Sequence, residues 1–215
     1  MTTDKLLNLV LRIPALLIAF TFHEYAHAIV ADKLGDKTPR FQGRLTFNPI
    51  AHIDPIGFLM ILVAGFGWAK PVQTNPSAFR NYYKDHLKVA LAGPIANILV
   101  AIVFLPFLII YYKYIWDVIP NDVIADIIGQ IINYIILLNI VLFIFNLLPI
   151  PGLDGYHVLA DLFPSTFNRI SYKIYRYELL ILIVFLATPL SDYLVGVPAG
   201  FIYSKFINVA SLLFG

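Results

Sequence analysis

Two histidines and a glutamate in one short stretch carry the most distinctive chemistry of this chain. The stretch is His23-Glu-Tyr-Ala-His27, and it lies toward the end of an apolar run that starts near Leu6. Residues four apart share one face of a helix, so both imidazoles can reach a single metal ion. Glu24 lies one position round the helix and can reach a water molecule bound to that ion. The motif therefore predicts metal-assisted hydrolysis, with Glu24 as general acid and base.

The composition indicates that these residues lie in a membrane protein. Of the 215 residues, 60% are hydrophobic and 13% are charged, whereas about a quarter of the residues in soluble domains are charged. We predict a single integral membrane domain over residues 1–215, with an all-α polytopic fold. Apolar runs near or above the roughly 20 residues that cross a bilayer are Leu6 to Val30, Val89 to Tyr112, Ile127 to Leu148 and, less cleanly, Leu179 to Val195, with Val197 to Phe214 spanning or interfacial.

Basic residues cluster in three connections, and such clusters mark cytosolic loops. An acidic connection after Tyr112 is expected on the external side. The three clusters are Lys33, Lys37, Arg40 and Arg44; Lys70, Arg80, Lys84 and Lys88; and Arg169, Lys173 and Arg176. We interpret these clusters as signals of membrane orientation and expect no nucleic-acid partner. The N-terminus is then external, and His27 lies toward the cytosol.

The stretch Pro55 to Trp68 is predicted to be re-entrant, because a crossing there would place two of the basic clusters on opposite sides. Its apolar core, Ile56 to Phe66, is also too short to span a bilayer. Gly57, Gly65 and Gly67 suit a bent segment buried within protein.

A third metal ligand is needed, because catalytic zinc sites usually have three protein ligands. The chain has no cysteine, so the ligand must be a histidine or a carboxylate. The third long apolar run leads into Asn146-Leu-Leu-Pro-Ile-Pro-Gly-Leu-Asp154-Gly155, where prolines and glycines can turn Asp154 back toward the histidines. We expect Asp154 to complete a site for one zinc ion per chain; His52 and Asp54 are the alternatives.

Several motifs in this order together resemble the site-2 proteases, which are intramembrane zinc metalloproteases, and specifically their compact prokaryotic members without a PDZ domain. The resemblance implies that zinc is bound by His23, His27 and Asp154, and that Glu24 is catalytic. It also implies a core of three helices. The first ends in the histidine motif, the second carries Gly93 to Asn97, and the third leads into Leu153 to Gly155. The motifs are His23 to His27, Gly43-Arg-Leu-Thr-Phe-Asn-Pro, His52-Ile-Asp-Pro, Gly67-Trp-Ala-Lys-Pro, Ala92-Gly-Pro-Ile-Ala-Asn97 and Asn146 to Gly155.

The substrate implied by this resemblance is a transmembrane protein within the lipid bilayer. A helical substrate must unwind before it is cut, so the enzyme must offer new partners to its backbone. The resemblance implies that Asn97 and Asn146 lie near the metal, and their amides are predicted to bind that backbone. Ordinary hydrogen bonds between helices are the alternative role for both. The stretch Thr38 to Phe47 is predicted to form a small β-hairpin, whose edge could extend the substrate by strand addition.

Two other functions remain open from the sequence. One is a membrane metallopeptidase that acts on soluble or lipidated peptides at the cytosolic face. The other is a non-catalytic membrane metal-binding protein or transporter. Glu24 favours hydrolysis over transport, because metal transport has no evident need for a carboxylate beside the bound water.

Overall fold

The computed structural model describes residues 3–64 and 67–214, and helices dominate this part of the chain. An isolated antiparallel bridge between Ile53 and Ala69 is its only β pairing among the described residues. The α-helices in these residues are α1 (Thr3–Leu34), α2 (Thr38–Phe41), α3 (Pro55–Ala64), α4 (Tyr82–Ile110), α5 (Asp122–Asn146), α6 (Asp154–Leu162), α7 (Pro164–Tyr175), α8 (Glu178–Ala187) and α9 (Val197–Phe214).

Four helical stretches of the described residues are long and apolar enough to cross a membrane. They are Leu7–Leu34 in α1, Tyr82–Val118 from α4 onward, Asp122–Asn146 in α5 and Asp192–Leu212, which includes most of α9. The chain is thus a multi-pass membrane protein with an all-α fold, as predicted.

The apolar run Leu179 to Val195 does not form one span. Helix α8 ends at Ala187, and Thr188 is extended, with φ −105° and ψ 158°. The cause is Pro189, since a proline disfavours the helical conformation of the residue before it. With only 10 residues, α8 is too short to cross a bilayer.

Helices α1, α4 and α5 pack against one another and form the predicted three-helix core. Ala15, Val100 and Ile135 meet where the three helices converge, and the small side chain of Ala15 allows close approach. On the other side of α4 and α5, α9 packs through Ala199 against a cluster that includes Ile136.

The chain on either side of α3 runs side by side, which agrees with the predicted re-entrant stretch. Its helix, α3, is flanked by the paired residues Ile53 and Ala69, and the Lys70 backbone N–H donates to the His52 carbonyl over 2.9 Å. A Cβ on Gly67 would overlap the Gly57 carbonyl, so only glycine permits this close return. The residues Gly65 and Phe66 of the predicted stretch lie outside the described residues.

The predicted β-hairpin over Thr38 to Phe47 is wrong. Thr38–Phe41 forms α2, and the described residues from 38 to 47 contain no strand. Pro39 has the fixed φ of a first helical turn, and the Asp36 carboxylate accepts a hydrogen bond from the Thr38 backbone N–H over 2.9 Å. Strand addition at this stretch therefore has no strand to support it.

Candidate metal centre

Helices α1 and α6 bring His23, His27 and Asp154 together at the core. The two histidines lie on one face of α1, and their Nε2 atoms are 3.1 Å apart. Asp154 Oδ2 lies 3.2 Å from Nε2 of His23 and 3.3 Å from Nε2 of His27. Three ligand-type atoms from two separate parts of the chain thus converge on one point.

The position of Asp154 follows from the way the chain turns after α5. That helix ends at Asn146, and the following residues include two prolines and Gly152, whose φ is +89°. Only glycine adopts such a φ readily. The turn leaves Asp154 as the first residue of α6, facing the histidines across the core.

This atom set fits zinc. With zinc–nitrogen bonds of about 2.0–2.1 Å and tetrahedral angles, neighbouring ligand atoms lie roughly 3.3 Å apart, close to the three distances above. Asp154 Oδ2 is buried and has no hydrogen-bond partner in the described part of the chain. A buried carboxylate oxygen beside two imidazole nitrogens is satisfied by a cation.

The other ring nitrogen of each histidine is held by α4. His23 Nδ1 donates to Oδ1 of Asn97 over 2.7 Å, and His27 Nδ1 donates to the Val89 backbone carbonyl over 2.7 Å. With the proton on Nδ1, the lone pair of each ring lies on Nε2, which is the atom that faces Asp154. Such partners fix the tautomer and orientation of histidine ligands.

Gly93 on α4 leaves the space in which the two imidazoles sit. A Cβ at this position would overlap His27 Nε2, and it would lie 2.6 Å from His23 Cε1 and 2.7 Å from His23 Nε2. The Gly93 to Asn97 motif therefore serves the histidines at both ends: glycine makes room, and asparagine orients a ring.

Glu24 lies beside the three ligand-type residues and is also buried. Its Oε2 accepts a hydrogen bond from the Val72 backbone N–H over 2.8 Å. The Arg44 guanidinium lies 3.8 Å from the same oxygen. The segment that follows the re-entrant stretch thus sets the position of the Glu24 carboxylate.

The sequence suggests that Arg44 is a loop cation that marks membrane orientation, but the structure gives this residue further contacts. Arg44 is 3% exposed, and its side chain donates to the carbonyls of Ala51 and Lys70, which lie before and after the re-entrant stretch. Burial lowers the pKa of Arg44, and the nearby Glu24 opposes this shift. Arg44 therefore ties both ends of the stretch together beside Glu24.

The two predicted amides are placed differently. Asn97 is fully buried, and its Nδ2 donates to the Ala19 carbonyl over 3.1 Å and to Asn139 Oδ1 over 2.9 Å. Both N–H donors of Asn97 are thus occupied, so a substrate could bond only to the second lone pair of its buried Oδ1. Asn146 lines the cavity described below, with its Nδ2 donating to the Leu142 carbonyl over 3.0 Å.

The alternative third ligands lie elsewhere. His52 is fully buried, and its Nε2 donates to the Thr46 carbonyl over 2.8 Å. Burial lowers the pKa of His52. Asp54 Oδ1 accepts from the backbone N–H groups of Ile56 and Gly57, so Asp54 caps α3 and holds no metal-ligand position.

A cavity of about 430 Å³ opens at the metal centre. Its lining includes apolar side chains, among them Phe20, Phe145 and several leucines of α8, and the polar side chains of Thr74, His86 and His157. Neither histidine belongs to a motif that the sequence assigns to the site. A signal for one was available, because His157 follows Asp154 by three residues and so shares its face of a helix.

The two cavity histidines contact each other and an acid. Their ring centroids lie 5.4 Å apart, and His86 Nδ1 donates to Asp161 Oδ2 over 2.7 Å. Burial lowers the pKa of His157. The cavity therefore combines polar groups with an otherwise largely apolar lining.

A membrane protein whose helices bring two histidines of an HExxH motif to an aspartate, with the motif glutamate alongside, has the donor set of a zinc hydrolase. Comparisons with known proteins agree. The model of peptidase family M50 matches residues 114–189, a stretch that includes Asp154 but not His23. No solved structure matches the chain significantly.

The curated relatives extend the match over most of the chain. "Putative zinc metalloprotease YwhC" of Bacillus subtilis is 40% identical over 178 residues, which are 83% of this chain and 80% of that protein. "Putative zinc metalloprotease Rip2" of Mycolicibacterium smegmatis is 31% identical over 188 residues, 84% of this chain and 68% of that protein. The chain belongs to peptidase family M50, and its resemblance to the site-2 proteases is confirmed.

Proposed function

We propose that this protein is an intramembrane zinc metalloprotease that hydrolyses peptide bonds in or near transmembrane segments of other membrane proteins. The observation that carries the proposal is the convergence of His23 Nε2, His27 Nε2 and Asp154 Oδ2 within 3.3 Å of one another beside Glu24, in a core of membrane-spanning helices. The names of the curated relatives support the zinc metalloprotease activity.

His23, His27 and Asp154 would hold one zinc ion. When bound, zinc supplies Lewis-acid polarisation of the scissile carbonyl and makes a water molecule acidic enough to attack at neutral pH. The chain's own contribution is to hold the ligand rings through Asn97 and Val89, so that their lone pairs point into the cavity.

Glu24 moves the proton. Its carboxylate takes a proton from the attacking water as the oxygen–carbon bond forms, and it returns that proton to the amine nitrogen as the carbon–nitrogen bond breaks. The Val72 N–H engages one carboxylate oxygen, Oε2, which restricts rotation of the side chain and leaves Oε1 for the water. Arg44 keeps this segment in place.

The substrate would lie in the cavity, with its apolar side chains against apolar lining residues such as Phe20 and Phe145. We assign the backbone-binding role to Asn146, because it lines the cavity and its Oδ1 can accept a hydrogen bond from an unwound substrate. For Asn97 a structural role toward His23 agrees better with its complete burial. Replacing Asn146 with alanine should raise KM for a helical substrate and leave zinc content unchanged.

The orientation follows from the charges. The basic residues between α1 and α4, and those near α7, favour a cytosolic location for the ends of the helices that carry the metal centre. We therefore place the active site toward the cytosolic side of a prokaryotic cell membrane. A water path from the cytosol would pass polar lining residues such as Thr74, His86 and His157.

The test is cleavage by purified protein in proteoliposomes of single-span substrates and of soluble peptides with the same cut sequence. Mass spectrometry of the products maps the cut. The proposal expects cuts in or next to the apolar segment, with little cleavage of the soluble peptides. Efficient cleavage of the soluble peptides alone would instead indicate a metallopeptidase of the membrane surface.

The non-catalytic alternative has its own signature. A zinc flux across the proteoliposome membrane that persists in Glu24→Gln, with no proteolysis of any substrate by the wild type, would indicate a metal transporter and not a protease.

A further inference from the structure

Asn139 on α5 lies behind the metal centre and belongs to none of the motifs described above. It is fully buried. Its Oδ1 accepts a hydrogen bond from Nδ2 of Asn97 over 2.9 Å, and its own Nδ2 donates to the Ile135 carbonyl over 2.8 Å. A continuous line of hydrogen bonds therefore runs from α5 through Asn97 on α4 to His23 on α1.

The two histidines depend on different kinds of acceptor. His27 Nδ1 donates to the backbone carbonyl of Val89, which cannot become a donor. His23 Nδ1 donates to a side-chain amide, and an amide can rotate by 180° and present N–H instead of oxygen. His23 therefore needs a further group that fixes the amide of Asn97.

An Asn97 amide rotated by 180° would prevent His23 from binding the metal through Nε2. Its Nδ2–H would face His23 Nδ1, which would have to hold the lone pair, and the ring proton would move to Nε2. The atom that faces Asp154 would then be an N–H donor, which cannot bind a metal. The orientation of one buried amide thus decides whether His23 Nε2 is available.

Two acceptors hold Asn97 in the useful orientation. Its Nδ2 donates to the Ala19 carbonyl and to Asn139 Oδ1; after rotation, Asn97 Oδ1 would face both oxygens without a proton between them. Such a contact is strongly unfavourable in a buried site. Asn139 cannot easily rotate in response, because its own Nδ2 is bonded to Ile135.

We propose that Asn139 is a positioning residue of the metal centre, which fixes the amide of Asn97 and thereby keeps His23 Nε2 free to bind zinc. This inference rests on the proposed zinc ligands. It also gives α5 a part in the metal centre, although α5 contributes no ligand of its own.

The test compares Asn139→Leu with Asn133→Leu. Asn133 lies on the same helix, and its Oδ1 accepts from the Tyr203 hydroxyl over 2.6 Å, so its replacement also removes a polar contact between helices, but one that does not lead to His23. Zinc dissociation constants are measured by chelator competition in detergent, the absorption spectrum is recorded with Co²⁺ in place of zinc, and thermal unfolding is followed without metal.

We expect Asn139→Leu to weaken zinc binding roughly tenfold, the lower end of the usual effect of losing a partner behind a ligand, and to alter the Co²⁺ spectrum. Asn133→Leu should keep the wild-type zinc affinity and spectrum. Asn139→Asp should restore most of the affinity, because either form of its carboxyl group still offers Asn97 an acceptor. If Asn139→Leu does not yield folded protein, Asn139→Ala takes its place with the same expectations.

Equal zinc affinities and identical Co²⁺ spectra for wild type, Asn139→Leu and Asn133→Leu would overturn this inference alone. Equal losses in the two leucine variants would also overturn it, since the effect would then be general loosening of the helices. A wild-type protein that binds no zinc at all would overturn the proposed function, and the inference with it.

Discussion

Replacing Gly93 with alanine should abolish tight zinc binding and leave the fold intact. The new Cβ would lie 2.7 Å from His23 Nε2 and still closer to His27 Nε2. An ordinary contact is at least 3.4 Å, so the His23 nitrogen would have to move by about 0.7 Å. Zinc sites tolerate changes of about 0.2 Å in ligand distances, and we therefore expect the zinc dissociation constant to rise at least about 100-fold.

The effect on folding should be small, because alanine is favoured over glycine inside a helix by about 0.5–1 kcal/mol. Gly200→Ala on α9 is the matched control, since nothing lies within 4 Å of its Cβ position. Chelator competition gives the zinc affinity, and thermal unfolding without metal reports the fold. A Gly93→Ala protein with the zinc affinity of Gly200→Ala would refute the inferred positions of the two ligand nitrogens.

Three further predictions concern the surroundings of the metal centre. Arg44→Ala should lower both the unfolding midpoint and kcat at unchanged zinc content, because the carbonyls of Ala51 and Lys70 each lose a hydrogen-bond donor, at about 0.5–1.5 kcal/mol apiece. Arg44→Lys should be intermediate, and an unchanged midpoint would contradict the role of Arg44 in joining the two ends of the re-entrant stretch. Burial lowers the pKa of His52. The contribution of His52 to stability is therefore present above about pH 6.5 and is lost as the pH falls below that value toward the folded-state pKa. Unfolding midpoints measured from pH 7.5 to 5.5 should fall less steeply for His52→Asn than for the wild type. Zinc at roughly 1,000 times its dissociation constant should stabilise the fold by about 4 kcal/mol, a gain that calorimetry with and without a chelator should find in the wild type and not in Asp154→Ala.

The parts of this protein that could be predicted from sequence are those set by local pattern. Apolar length predicts the first three long helices, and the spacing of His23 and His27 predicts a shared face. Asp154 could be found because prolines and a glycine mark the turn before it. The division of the fourth apolar run, Leu179 to Val195, also has a local cause, because Pro189 disfavours a helical conformation at Thr188.

Other features depend on distant parts of the chain and leave no local signal. Arg44 has the pattern of a loop cation, yet contacts with two distant carbonyls bury it. Asn139 is one of several polar residues in α5, and its importance depends on its contact with Asn97 on α4. The Val72 N–H that holds Glu24 is a backbone group, so no side-chain motif could reveal it.

The most direct test of the central claim is single-turnover cleavage of a single-span substrate by wild type and Glu24→Gln, with bound zinc counted in the same samples. The account predicts one zinc per chain in both proteins and a loss of cleavage of at least about 100-fold in Glu24→Gln, as expected when a general acid and base is removed. Wild-type cleavage by Glu24→Gln, or cleavage by a wild type that contains no zinc, would contradict it.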